Sequence, residues 1–330
     1  MKRLILVLAY LSLSSLAIAQ GSDKDGFSAD FSVVSRLEAN PWIDFSGSPT
    51  QTGIDMGSSS LYFLGDGQIT ENLSFSFLIN PLNMDPAALY SNTFRSDDFN
   101  WLNWASLTYS FGDFSVTAGK SYWFCATFEE DDYDFDRYSF LSTSVWNNFP
   151  IYQWGAGLSW APSESFSLSA NAFTSPYGDY IFKSGQFGFS GVAACEMKGL
   201  SALVGFATMQ DGAGGWVPVA SCGLKAEVGK FTLVNDIYSQ SWNELTGGFT
   251  DWISDGMSIS YRHNDQWNFS AHFIIDVFEA IPDPIQNYRA GAVCEYTPIE
   301  GMRLHVMAGL DNNRTASFSI GATYNLSFSL

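Results

Sequence analysis

Residues 317–330 read Ser-Phe-Ser-Ile-Gly-Ala-Thr-Tyr-Asn-Leu-Ser-Phe-Ser-Leu. Phe318, Ile320, Ala322, Tyr324, Leu326, Phe328 and Leu330 share one parity, and Ser317, Ser319, Gly321, Thr323, Asn325, Ser327 and Ser329 share the other. Successive side chains of an extended strand point to opposite faces. An unbroken apolar face backed by small polar residues suits a strand with lipid on one side and a polar interior on the other.

The same pattern recurs along the chain. Sixteen alternating segments are separated by turn residues: 27–38, 57–68, 72–80, 101–111, 113–121, 151–161, 165–174, 186–197, 200–209, 216–228, 230–240, 255–263, 267–278, 287–297, 301–310 and 314–330. Each is close to the ~9–11 residues that cross a bilayer at a tilt, and an even count suits a closed single-chain barrel. Connections alternate in length. Short ones fall at Thr70-Glu71, Gly112, Pro162 to Glu164, Lys198-Gly199, Gly229, Asn264 to Gln266 and Pro298 to Glu300. Long ones are 39–56, 81–100, 122–150, 175–185, 210–215, 241–254 and 279–286; Asp311-Asn312-Asn313 is short where a long one is due. Short turns at one end and long loops at the other mark an outer-membrane barrel, whereas a soluble sandwich has no reason to alternate this way.

Parity also assigns the faces. In 267–277, Trp267, Phe269, Ala271, Phe273, Ile275 and Val277 oppose Asn268, Ser270, His272, Ile274 and Asp276. In 301–310, Met302, Leu304, Val306, Ala308 and Leu310 oppose Arg303, His305, Met307 and Gly309. A basic residue turned to lipid costs ~2–4 kcal/mol at the midplane, so the charged face is the lumen. Sixteen strands leave an aqueous bore. The expected fold is an all-β transmembrane antiparallel barrel of about 16 strands.

Composition agrees. Hydrophobic residues make up 46% of the 330, yet the only long apolar run is N-terminal, which excludes a helical membrane protein. Charged residues are 15%, well below the quarter usual in soluble domains. At the N-terminus, Lys2 and Arg3 precede an apolar stretch from Leu4 to Leu16 and a small-x-small site, Ala17-Ile18-Ala19. This is the pattern of a cleaved signal peptide, with residues 1–19 removed and the barrel domain spanning 20–330. Without Lys2 and Arg3 the net charge of −19 becomes −21, which argues against nucleic acid or anionic surfaces as partners. Cys125, Cys195, Cys222 and Cys294 form no CxxC pair. The last three share parity with apolar neighbours and read as lipid-facing, and Cys125 reads as a free thiol in a loop.

Segment 122–150 is the third long connection. It carries Glu129, Glu130, Asp131, Asp132, Asp134 and Asp136, with Arg137 beside them. Folded inward, these would make an acidic constriction; left outside, they are a solvated loop. Asp132, Asp134 and Asp136 have calcium-like spacing, but Arg137 and Thr143 stand where an EF-hand loop needs Gly and Glu. No metal or other cofactor is therefore expected. Lumen parity gathers Arg36, Arg262, His272, Arg289, Arg303 and His305 into a basic wall on the late strands and the first, with Glu38, Asp276 and Glu295 among them. The wall and the loop are candidates for a transverse field across the pore. Catalytic motifs such as G-x-S-x-G and H-E-x-x-H are absent.

Within 101–155 the run Trp104-Ala105-Ser106-Leu107-Thr108-Tyr109, followed by Phe114-Ser115-Val116-Thr117-Ala118-Gly119-Lys120, resembles a strand, turn and strand of the phosphate-selective porin (O and P type) family, particularly its Bacteroidetes-type members. Phe128 to Asp136 and Trp146-Asn147-Asn148-Phe149-Pro150-Ile151-Tyr152-Gln153-Trp154-Gly155 are similar to the loop and next strand of that family. The resemblance implies a sixteen-stranded porin, often trimeric. Family members that select phosphate use a dense ladder of Arg and Lys, whereas only thirteen basic residues follow the leader here, so the fold and channel role carry over and the substrate does not. Bacterial outer-membrane barrels also run a strand to the C-terminus, more often ending in Phe than in Leu330.

The expected function is passive diffusion of small polar solutes through an outer-membrane porin, with lipid around it and no enzymatic step. Two rivals stand beside it. One is a closed structural barrel plugged by Tyr133, Phe135, Tyr138 and Phe140; the other is an outer-membrane hydrolase built on His272 or His305.

Overall fold

A computed structural model describes residues 27–84, 99–130, 136–148, 151–178, 185–241, 251–278 and 285–330. The expected leader, residues 1–19, lies outside them. Seventeen strands run through the described residues: β1 Ser28–Asp44, β2 Gln51–Asp55, β3 Ser60–Thr70, β4 Leu73–Ile79, β5 Leu102–Phe111, β6 Phe114–Tyr122, β7 Tyr152–Ser163, β8 Phe166–Thr174, β9 Phe187–Met197, β10 Leu200–Gln210, β11 Trp216–Val228, β12 Phe231–Ser241, β13 Asp251–Arg262, β14 Trp267–Phe278, β15 Ile285–Ile299, β16 Met302–Asp311 and β17 Thr315–Ser329.

They occupy sixteen places around one closed barrel. From β3 onward each strand pairs antiparallel with the next, and β1 pairs with β17 from Asp30↔Ser329 to Asp44↔Thr315. The seventeenth strand, β2, adds no position. It pairs with the far end of β1 (Asn40↔Asp55 to Asp44↔Gln51), beyond the stretch of β1 that β3 covers (Ser28↔Gln68 to Arg36↔Ser60).

This corrects the expectation that 39–56 is one loop and that the first strand stops at residue 38. Pro41 breaks the alternating pattern and has no N–H for the ladder. Accordingly the β1–β17 register skips Asn40 and Pro41 and resumes at Trp42↔Ser317. A proline is tolerated here because the strand only passes through a local break. Similarly, β13 begins at Asp251 and β15 at Ile285, a few residues earlier than the alternation suggests.

Short turns close one end of the barrel. Gly112, Gly199, Gly229 and Gly301 each stand there at positive φ (57°, 75°, 65° and 76°), a conformation that costs glycine little. Aromatic pairs flank these turns: Phe111–Phe114, Trp160–Phe166, Phe231–Tyr261 and Trp267–Tyr296. They form a girdle of the kind that sits at a membrane interface. Above it the outward residues are large, apolar and exposed, for example Val116, Leu158, Leu168, Val204, Phe206, Val306 and Ile320. Cys195, Cys222 and Cys294 lie on this outward face as free thiols, whereas Cys125 is buried. A contiguous apolar exterior on a closed sheet is covered by lipid, and closure leaves no backbone edge unpaired in it.

Two substitutions separate the faces. Ile320→Arg, turned to lipid, should lower unfolding stability by ~2–4 kcal/mol, and Ser159→Arg, turned to the lumen, by less than about 1 kcal/mol. Urea unfolding from lipid vesicles measures both; equal costs would contradict the face assignment.

Candidate functional site: the lumen and its inward loop

Beyond the long-loop end of β6, residues 123–130 and 136–148 lie inside the barrel. Apolar anchors set its course. Trp123, Phe124, Cys125, Val145 and Ile151 pack with the inward residues Phe173, Ala207, Met209, Val219 and Tyr238. Farther along, Tyr138 and Leu141 pack on Val293 and Met307. The wall makes room by omitting side chains. A Cβ on Gly205 would stand 2.7 Å from Ala126 Cβ, one on Gly291 2.7 Å from Leu141 Cδ2, and one on Gly309 would strike the Phe140 ring.

Polar groups then fix the backbone. Asp236 on β12 accepts the N–H groups of Phe128 and Glu129 at 2.9 and 2.8 Å. Asp276 on β14, 0% exposed, accepts Ser144 N–H at 3.1 Å and its hydroxyl at 2.6 Å, accepts the Ser254 hydroxyl, and pairs with Arg289 at 2.5 Å. Arg289 also donates to the Phe140 carbonyl at 3.3 Å. Arg36 pairs with Glu38 and donates to the Arg137 carbonyl at 2.6 Å. Arg303 meets Asp136 at 2.6 Å and Glu295 at 3.6 Å, and Tyr138 donates its hydroxyl to Glu295 at 2.9 Å. The Arg137 guanidinium lies over the Trp146 ring.

Among the described loop acids, Asp136 meets the basic wall directly at Arg303 rather than facing it across a gap. Arg36, Arg289 and Arg303 hold the loop directly, and His305 supports it from behind, 3.2 Å from Glu38. His272 lies on the wall bonded to Ser270 at 2.9 Å. Arg262 stands apart and exposed beside the turn at 263–266. Among the loop acids, Glu129 is an internal brace that accepts Thr143 N–H at 2.7 Å and the Thr143 hydroxyl at 2.6 Å. Burial pushes its carboxyl up. Burial also raises Asp136, against the pull of the Arg303 guanidinium. The Glu130 side chain and Asp131, Asp132 and Asp134 lie outside the described residues, as do Tyr133 and Phe135. Sequence reasoning missed Asp236 and Ser144 and undervalued Asp276. Inward parity on a wall otherwise made of small residues was the available signal for the two acids.

The side of the lumen away from these clamps is different. The inward residues of β4 to β8 include Ser74, Ser76, Ser106, Thr108, Ser115, Thr117, Ser159 and Ser169, hydroxyls without a charge. A cavity of about 420 Å³ opens beneath the loop, lined by Lys225, Ser258, Ser260, His272, Glu295 and Arg303 among others. A second, of about 350 Å³, is lined by Asp30, Asp66 and Asn325. Asp136 and Arg303 line both.

Ser319, His305 and Glu38 come together in the wall, but not as a proton relay. Ser319 Oγ and Glu38 Oε2 both approach Nε2 of His305, each at 3.2 Å. A relay needs the acid on one ring nitrogen and the hydroxyl on the other.

No protein-family model matches the chain, and no characterised protein matches it by sequence. Solved structures match its fold. OmpT (in-vitro folded), an outer membrane protein of Vibrio cholerae, is similar with a TM-score of 0.63 at 14% identity, over 92% of this chain and 99% of that one. An anion-selective porin from Comamonas acidovorans is similar with a TM-score of 0.63 at 11% identity, over 90% and 100% of the two chains. Salmonella typhi OmpF, in complex with daunomycin, gives 0.60 at 11% identity, over 90% and 97%. The architecture is thus a porin-type barrel.

Removing one partner of a buried ion pair typically costs ~3–5 kcal/mol. Asp276→Ala should therefore release the loop without opening the barrel. Cys125 reports this: a charged, water-soluble maleimide should label it in the variant and not in the parent chain, while heat-modifiable migration stays unchanged. Protection of Cys125 in both would remove Asp276 from the docking account.

Proposed function

We propose that this protein is an outer-membrane porin through which small polar solutes diffuse passively, without a catalytic step or a cofactor. The lopsided docking of the inward loop carries the reading. Its start is anchored on β7 to β10. Its charged clamps lie on β12 to β16 and β1, and the serines and threonines of β4 to β6, with Ser159 and Ser169, keep a hydroxyl lining. A loop so placed narrows a bore and leaves a polar lane beside it. The signal sequence read in residues 1–19 and the aromatic girdle support the outer membrane as its location.

Phosphate selectivity gains no support. Arg36 and Arg289 are buried and committed to Glu38, Asp276 and loop carbonyls rather than arrayed along a path. Membership of the phosphate-selective porin family and a trimeric assembly rest on the resemblance of 101–155. With many lumen charges already paired, neutral polar solutes are the class best served.

One observation favours a closed barrel instead. Val34, Tyr62, Leu64 and Leu78 point into the lumen and form a buried apolar cluster with Trp104 against it. Single-channel recording in a planar bilayer decides between the two. Stable conductance steps are expected, and a folded, heat-modifiable barrel without steps would establish the plugged form.

Acidification gives a second readout. Desolvation raises Asp136, so its proton returns at a higher pH than for an ordinary aspartate. A raised carboxyl pKa means the folded state gains stability, not loses it, as the proton binds. The loop should therefore stay docked while Arg303 loses one of its two counter-charges and keeps Glu295. Lowering the pH from 7 towards the upper carboxylate range should shift the reversal potential towards anions, and Asp136→Asn should abolish the shift. A shift that persists in that variant would place the titrating group elsewhere.

A further inference from the structure

Among the described side chains of the strands, two charged groups point out of the barrel. One is Lys120, at the outer end of β6. It lies buried, its ammonium donating to the carbonyls of Phe99 and Leu102 at 2.9 and 2.6 Å. The other is Asp255 on β13. It pairs across the sheet with Ile237 and Ile275, and it stands among the exposed apolar side chains of Ile237, Ile253, Met257 and Phe273. Its one hydrogen bond among the described residues comes from the amide of Asn235 on β12, at 2.6 Å.

The height of Asp255 makes this unusual. Tyr261 belongs to the aromatic girdle and lies six residues along the same strand. At ~3.3 Å per residue and a tilt of ~40°, Asp255 sits roughly 15 Å above the girdle, well inside an apolar band about 25 Å tall. Lipid tails offer a carboxylate nothing, and ionisable groups at such depth are kept where a partner meets them.

We propose that the outward face of β12 and β13 is a contact between two copies of this chain, related by a two-fold axis along the membrane normal and centred on the Asn235–Asp255 pair. The pair is self-complementary. An amide has two N–H donors and a carboxylate has several acceptor sites; the bond within one copy uses one of each. The hydrogen bond holds the two groups at nearly the same height, so a two-fold axis exchanges them. Asn235 of each copy then donates its second N–H to Asp255 of the other. Four polar groups close on one another inside an apolar rim of Leu233, Ile237, Ile253, Met257 and Ile259, all exposed in the single chain. An isologous contact requires such a self-matching patch. It rests on the membrane-spanning exterior alone, so it stands whether or not the barrel conducts and whatever assembly other faces make.

The test is cross-linking in lipid vesicles. Cys125, Cys195, Cys222 and Cys294 are replaced by Ala, and Ile237→Cys places one thiol beside the pair. A short thiol-reactive cross-linker should then give covalent pairs of barrels. Adding Asp255→Ala with Asn235→Leu should weaken association by roughly tenfold in protein-to-lipid ratio, whereas Asp255→Asn, which keeps donors and acceptors, should retain it. Heat-modifiable migration confirms that each variant is folded. No cross-linked pairs at any protein density, or pairs that persist undiminished in the double variant, would overturn the proposal.

Discussion

Hydrocarbon leaves no solvent for an unpaired amide, and this constraint orders the whole molecule. A sheet edge cannot be left in lipid, so β1 must find β17, and the pairing of Asp30 with Ser329 through Asp44 with Thr315 closes the cylinder. Once the sheet is closed, strand parity has only two destinations. Ile320 faces lipid because Ser319 faces the lumen, and a one-residue slip would exchange every such pair. The same closure brings Arg36 of β1 beside the last strands, where it joins His305 and Glu38 in one cluster. A contact between Glu38 and His305, far apart in the chain, thus follows from the need to leave no edge.

The lumen obeys a second rule. Taking a charge into a narrow, partly dry space is costly unless it is paired and hydrogen-bonded. Asp276 satisfies this with Arg289, Ser144 and Ser254; Asp236 does so with two backbone N–H groups. The Ser144 bonds to Asp276 and both N–H bonds to Asp236 come from the loop, so loop position and wall carboxylates are coupled. Withdrawing the loop would deprive Asp236 of two N–H groups and Arg303 of Asp136, a restraint that adds to the apolar anchors. The glycines opposite Ala126, Leu141 and Phe140 set how close the loop comes.

Much of this was legible in the sequence. Alternation located the strands to within a few residues, because a half-lipid, half-aqueous sheet imposes a period of two on every strand. It failed at Pro41 and around residues 51–55, where the chain rises past the membrane and neither face is under that pressure. It also placed the lumen charges on the correct face. Parity carries no distance, however, and whether Arg303 faces Asp136 across water or touches it depends on the path of a loop. That path is written in inward glycines and in single acids such as Asp236, which resemble ordinary lumen residues until the loop lies against them.

Asp255 acquires its meaning from this contrast. The inward carboxylates Asp236, Asp276, Glu38 and Glu295 each meet N–H groups, hydroxyls or basic side chains of the same chain. Asp255 meets one amide and otherwise apolar neighbours. A protein that so consistently supplies partners to charges in its moist interior has less reason to leave one half-served at mid-depth in lipid. The missing partners must come from outside the barrel, and a second Asn235–Asp255 pair supplies donor and acceptor at the same height.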